Sequence, residues 1–359
     1  MKKDLYLHIG MGKTGTTALQ NFFWPNRALL VEYDIDYPDL GVQSGAHHLL
    51  SPHIPPFLKD HWNFRPVRSW APVLANSAAC SRVLLSSELI AWAAEEIVMD
   101  FCAVLKEYFK PRVVIYFRRQ DNQIMAAYNQ QVKAGTQIRN IQDVLEHQFE
   151  RFDYGKKLSP WVAGLGKEAI IVRPYERQQF YHGDLRHDFM HYVFNVEVND
   201  RFHIDRENRN PRLSPAVLEY KRYINNLMDP VSSSKFNEVL QEYSATLNEG
   251  HSDIFAEHYL LSPSQRREIL RRCDATNRMI AREFLGRSDG RLFYDDEPDE
   301  NGAFRVNELS NAQMKEITAY IQKHKPGLAR ILKKAVSAGL VSEQPRVVNV
   351  ARRLYDSFS

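Results

Sequence analysis

The chain of 359 residues has only three cysteines, Cys80, Cys102 and Cys273, which are far apart and lack metal-ligand spacing. That scarcity excludes a disulfide framework and a zinc site and leaves buried thiols. Apolar runs are short, none reaching the length that crosses a bilayer as a helix, so no stable membrane insertion is expected. The opening residues carry two lysines, but Asp4 and His8 break their apolar run and no small-residue cleavage site follows. A cytoplasmic location is therefore expected. Net charge is also small, 47 Lys plus Arg against 44 Asp plus Glu, which does not announce a nucleic-acid partner. Repeats and low-complexity tracts are absent. What is present, 44% hydrophobic and 25% charged residues, suffices to bury a full core and excludes a disordered chain.

The modest charge is unevenly spread. From Arg305 to Arg353 ten Lys or Arg face three acids, a net of +7, which leaves −4 for everything else. Four short apolar runs read as buried strands: Leu5–Ile9, Arg82–Ser86, Arg112–Phe117 and Ala169–Val172. Between them, Thr16–Glu32, Ile97–Phe109 and Asn122–Lys133 repeat apolar residues at helical spacing. Strands alternating with helices predict an α/β fold, with a mainly parallel central sheet flanked by helices. Later segments, such as Ser214–Leu227 and Ser264–Phe284, read as helices.

Three regions are expected: a domain over 1–294, an acidic linker or loop over 295–302, and a basic helical C-terminal extension over 303–359. In the extension Met314, Ile317, Ile321 and His324 share one helical face. Pro326 then starts a new helix whose stripe is Leu328, Ile331, Leu332 and Ala335.

The most informative segment runs from Leu7 to Gln20, Leu-His-Ile-Gly-Met-Gly-Lys-Thr-Gly-Thr-Thr-Ala-Leu-Gln: a strand, a glycine-spaced turn and a helix start. Gly12 and Gly15 let backbone approach an anion, the helix start offers unpaired N–H groups, Lys13 adds charge, and Thr14, Thr16 and Thr17 add hydroxyls. The segment predicts a cradle for phosphate or a close relative of it. The nucleoside-triphosphate loop needs a glycine where Leu7 stands, and no strand ends in a clear magnesium-binding Asp. No metal requirement is expected. A second anion site is expected at Arg118, which the third predicted strand delivers to the sheet's carboxyl edge. Arg119 either joins that clamp or pairs with Asp121.

Taken together, these motifs resemble a family. The loop, the Ser86-Ser87-Glu88 strand end, the stretch from Arg118-Arg119-Gln-Asp121 to Tyr128-Asn-Gln-Gln-Val-Lys133 and the Arg173-Pro-Tyr-Glu176 strand end are similar to bacterial sulfotransferase-family proteins, over residues 5 to about 294. The resemblance implies a P-loop-like sulfotransferase fold and 3'-phosphoadenosine 5'-phosphosulfate as co-substrate. Lys13, Thr14, Gly15, Thr16 and Thr17 would hold its 5'-phosphosulfate and Arg118 its 3'-phosphate. One departure is Ala126, where the family usually has a serine that shares the 3'-phosphate. Asn208, Asn210, Arg212 and Ser214 form a polar loop that could close over the nucleotide, with Ser214 alternatively capping a helix that Pro215 starts.

Sulfuryl transfer to a hydroxyl or amine also needs a group to take the acceptor's proton. Glu88 follows a strand and emerges at the carboxyl edge, where a base should stand; as an alternative it belongs to a helix cap with Ser86 or Ser87. His47 and His48, in a glycine-containing loop, supply imidazoles that titrate near neutrality. Tyr175 and Glu176 stand at the same edge, as ligands or as a loop buttress. The acceptor class implied by the resemblance is carbohydrate-containing: a small molecule, a polysaccharide or a glycolipid. Two other readings remain: a nucleotide or sugar kinase with a variant loop, or a non-catalytic nucleotide-fold protein that holds an acidic polymer with its basic tail.

Overall fold

The computed structural model describes residues 2–55, 58–205, 213–247, 260–299 and 309–358. In chain order its elements are β1 (Lys3–His8), α1 (Thr16–Glu32), β2 (Ile35–Asp36), α2 (Val67–Ser77), β3 (Arg82–Ser86), α3 (Glu95–Tyr108), β4 (Phe109–Phe117), α4 (Gln120–Lys133) and α5 (Ile141–Gln148). There follow α6 (Tyr154–Leu165), β5 (Ile170–Pro174), α7 (Leu185–Phe194), α8 (Pro215–Leu227), α9 (Pro230–Ser234), α10 (Asn237–Leu247), α11 (Pro263–Leu285), α12 (Asn311–His324), α13 (Pro326–Leu340) and α14 (Pro345–Tyr355). They belong to two units. The first is Met1–Gln120, Asp153–Glu207 and Leu270–Asp296; the second is Asp121–Phe152, Asn208–Ile269 and Glu297–Ser359.

The first unit is α/β, built on a five-stranded all-parallel sheet in the order β2-β3-β1-β4-β5. Four of these strands correspond to the apolar runs. The two-residue β2 has no comparable signal, being too short to show a period. Alternation along each strand feeds two cores. Leu5, Leu7, Val83, Leu85, Val113 and Ile115 pack with α3 and α6, while Tyr6, Leu84, Val114 and Tyr116 pack with α1 and α7. Burial on both faces is why these strands read as continuous apolar runs. β1 lies between β3 and β4, with His8 in register with Ser86 on one side and Val114 on the other. The carboxyl ends of β1, β3 and β4 therefore open onto one edge.

The second unit is helical. Val217, Tyr220 and Ile224 of α8 share its core with Ile124 and Val132, with Val239, and with Met314, Ile317, Ile321, Leu332, Val336 and Leu354. The apolar stripes of the basic extension are thus part of a core built with residues 121–152 and 208–269 rather than a layer of their own. One expected member is turned around: Ile331 is 44% exposed. Leu332, Val336 and Gly339 form the buried side of α13, and Ile331 falls across the helix from them. Of the acidic stretch, Asp295–Asp299 is irregular backbone, and residues 300–302 lie outside the described residues. No helix among the described residues is long and apolar enough to cross a membrane.

Candidate functional site

β1 delivers the chain to the carboxyl edge, and residues 9–15 turn it into α1. The turn closes on Met11, whose carbonyl accepts from both the amide of Thr14 (3.2 Å) and its hydroxyl (2.5 Å). Thr14 is fully buried. This corrects the expectation that it adds a hydroxyl to the cradle: both of its donors are spent inside the loop. Lys13 and Gly15 have φ of 71° and 76°, while Thr14 between them does not enter that region. Such alternation is the backbone pattern of an anion nest, although the Thr14 amide itself closes the turn on Met11. Gly15 is also the cap residue of α1 and brings no side-chain acceptor to its first amides. A Cβ there would lie 2.2 Å from Leu185 Cδ2, and at Gly10 one would lie 1.9 Å from Thr16 Cγ2. Neither position has room for a side chain unless a neighbour shifts. Gly12 is different: a Cβ there would meet nothing within 4 Å among the described residues, so there is space where a side chain would go. Thr16 is buried and Thr17 exposed at the helix start.

Tyr175, just past β5, joins the loop to the second expected anion site. Its ring lies against Gly15, with Cε2 3.0 Å from that glycine's Cβ position, and the Arg118 guanidinium stands 5.9 Å from the ring centroid. Arg118 follows the end of β4 and is partly exposed. Arg119 is a second correction. It is buried and donates to the carbonyls of Asp295 (3.1 Å) and Asp296 (2.7 Å), so it anchors a loop instead of awaiting a ligand. Asp121, its expected partner, pairs with Arg266 in the second unit at 2.8 Å. Glu176 buttresses the same loop, accepting from the amides of Tyr294 (2.8 Å) and Asp295 (2.6 Å). Ala126 is fully buried on α4. Arg212, Asn208 and Asn210 lie outside the described residues.

At the end of β3 the three base candidates separate. Glu88 opens a short 3-10 helix, Glu88–Trp92, whose cap is Ser87 accepting from the Leu89 amide at 3.3 Å. The capping is done by Ser87. The Glu88 carboxylate instead receives the amide of Gln20, one turn into α1, at 2.9 Å, and its side chain keeps 28% exposure. His48 Nδ1 lies 2.9 Å from Ser87 Oγ, its Nε2 lies 3.9 Å from Glu88 Oε1, and its ring stacks on Trp62. Burial pushes its pKa down, and the Glu88 charge only partly offsets this, which favours a neutral ring. His47 is a third correction. It is fully buried; its Nδ1 accepts from the Ser86 amide at 3.1 Å and its Nε2 lies 2.8 Å from the Pro38 carbonyl. Fully buried and with both nitrogens engaged by the backbone, it is closed to an acceptor, and burial also lowers its pKa to about 4.

Three features here were not anticipated as site elements. Gln20 orients Glu88. His8, fully buried, pairs Nδ1 with Ser86 Oγ at 2.8 Å while its Nε2 has no hydrogen-bond partner among the described residues and faces Gly10; burial pushes its pKa down to about 3. The third is a cavity of about 660 Å³ beside Tyr175, lined also by Ala18, Arg177, Phe180, Leu185 and His187. His187 Nδ1 is buried there without a partner among the described residues. Only the Leu-Gln end of the loop motif signalled any of this, by placing Gln20 one turn after Thr16. Among the described residues no group of His, Cys, Asp and Glu could hold a metal ion.

An uncharacterized protein of Archaeoglobus fulgidus is 26% identical to this chain over 175 residues, 49% of the chain and 46% of that protein. The chain thus spans about half the length of the curated relative it matches. No protein-family model and no solved structure matches.

Proposed function

We propose that the chain is a cytoplasmic sulfotransferase that moves a sulfuryl group from 3'-phosphoadenosine 5'-phosphosulfate to a hydroxyl or amine of a carbohydrate-containing acceptor. The observation that carries this reading is the grouping of Lys13, Arg118 and Glu88. Lys13 sits in a nest with an open Gly12 face, Arg118 lies beyond the shared Tyr175, and Glu88 is held one α1 turn away. Two cations at spaced points suit a donor carrying anions at both ends of a nucleoside. The cavity beside Tyr175, with Tyr175 and Phe180 as apolar walls and Asp184, Arg186 and Asp205 as charged ones, offers room for the nucleoside.

The chemistry follows from placement. The acceptor oxygen or nitrogen forms a bond to sulfur while the bond from sulfur to the bridging oxygen of the 5'-phosphate breaks. The electron pair stays on that oxygen, where Lys13 and the loop amides stabilise it. The acceptor proton passes to the Glu88 carboxylate, which Gln20 orients and His48 flanks. Positioning and charge stabilisation carry the step, and 3'-phosphoadenosine 5'-phosphate leaves.

Transfer of radiolabelled sulfate from the donor to a panel of sugar and amine acceptors tests the reading. Wild-type protein is expected to label a carbohydrate acceptor, and Lys13→Ala to lower turnover by ~100-fold or more, as loss of an oxyanion-stabilising donor does. Undiminished turnover of a folded Lys13→Ala protein at saturating donor would refute it.

A further inference from the structure

Between Glu316 and Glu343 the chain has five Lys or Arg and no acid. That stretch contains α13. The helix buries Ala329, Leu332, Val336 and Gly339 in the helical unit. At 100° per residue the opposite side carries Arg330, Lys334 and Ala338, with Ile331 at its margin and Val341 just past the helix end. Arg330, Lys333 and Lys334 are exposed on a helix with no carboxylate of its own. Lys325 is the exception nearby, since it meets Glu238 at 3.2 Å. The cations are interleaved with apolar side chains that the fold leaves outside: Ile331 is 44% and Val341 84% exposed.

We propose that this face of α13 docks on a membrane surface bearing anionic headgroups. Cations alone would suit any polyanion. Exposed Ile331 and Val341 between them gain nothing from a hydrated polymer but gain burial at the boundary of headgroups and acyl chains. A second copy of the same face is disfavoured by like charge. Because its other side is locked into a core, α13 lies on the surface and does not enter it. Such attraction grows with each Lys or Arg at the surface and fades within a Debye length.

The test uses the full chain and phosphatidylcholine vesicles with or without phosphatidylserine, read by co-sedimentation at low and high salt. The protein is expected to sediment with the phosphatidylserine vesicles only, and less as salt rises. Arg330→Glu with Lys334→Glu should weaken binding by about tenfold or more. Ile331→Ser with Val341→Ser should weaken it severalfold and leave heparin binding unchanged. The comparison of the two vesicle types needs no variant and so stands even if a variant misfolds. Absence of sedimentation with anionic vesicles overturns the proposal. Vesicle binding by the serine variant equal to wild type also overturns it, in favour of a soluble polyanion.

Discussion

In the sheet unit the buried carboxylate of Asp188 meets the Arg173 guanidinium at 2.6 Å and takes a further hydrogen bond from the Tyr116 hydroxyl at 2.7 Å. In the helical unit the equally buried ammonium of Lys221 meets, among the described residues, the Asn225 amide oxygen, at 2.7 Å, and the Ser233 hydroxyl, at 2.5 Å. The consequences diverge. Burial alone would lower the Arg173 pKa, but the Asp188 partnership outweighs it and the group ends above its ordinary value. Lys221 has no such offset among the described residues, and burial pulls it down to about 7. Glu88 combines features of both. It is a sheet-unit carboxylate held by the neutral amide of Gln20, yet it stays partly open at a strand end. A charge with an opposite partner serves the fold, and a sealed one with neutral partners makes stability depend on pH. An open one with a neutral partner is available for chemistry.

The largest expected effect comes from breaking the fully answered pair. Asp188→Asn leaves Arg173 buried without its counter-charge, and a loss of about 3–5 kcal/mol is expected in the urea unfolding free energy. A change under about 1 kcal/mol would mean the pair is not what holds α7 to β5. Glu88→Gln comes next, at ~100-fold in turnover, or about 2.7 kcal/mol, with little change in donor affinity or melting temperature. Loss of stability with turnover intact would make Glu88 structural and move the proton to His48.

Lys221 gives the smallest and most condition-dependent effect. Its folded pKa lies below the unfolded value near 10.4, so between about pH 7 and 10 the unfolded chain binds the extra proton and stability rises with pH. Below about pH 7 both states are protonated and the penalty is complete. The wild-type unfolding free energy should therefore climb relative to Lys221→Met by up to ~1.4 kcal/mol per pH unit from pH 7 to 9. Parallel pH profiles for the two proteins would place a counter-charge near Lys221 that the structure does not show.

Much of the fold is legible because it is local. The apolar runs, the α1 span from Thr16 to Glu32 and the Pro326 helix start all follow from period and punctuation. What escaped depends on partners distant in sequence. Nothing near Arg119 announces that its guanidinium binds carbonyls at 295 and 296. Nothing near His47 shows that β3 will occupy one nitrogen and Pro38 the other. Ile331 misled for another reason: hydrophobic residues at helical spacing define a stripe, but which edge of the stripe turns inward is decided by what packs on it. In the loop itself, residue type revealed the charge and the glycines. It could not reveal that Thr14 would close the turn rather than face a ligand.

The central claim is that the loop of Lys13 and the site of Arg118 together hold a nucleoside bearing anions at both ends. Isothermal titration of the wild-type chain with 3'-phosphoadenosine 5'-phosphate and with ATP, each with and without magnesium, tests it most directly. The bisphosphate should bind more tightly than ATP, without need of magnesium, and Arg118→Ala should weaken it by ~2 kcal/mol or more, about thirtyfold. Tighter binding of magnesium-ATP, or an Arg118→Ala protein with an unchanged dissociation constant for the bisphosphate, would contradict it.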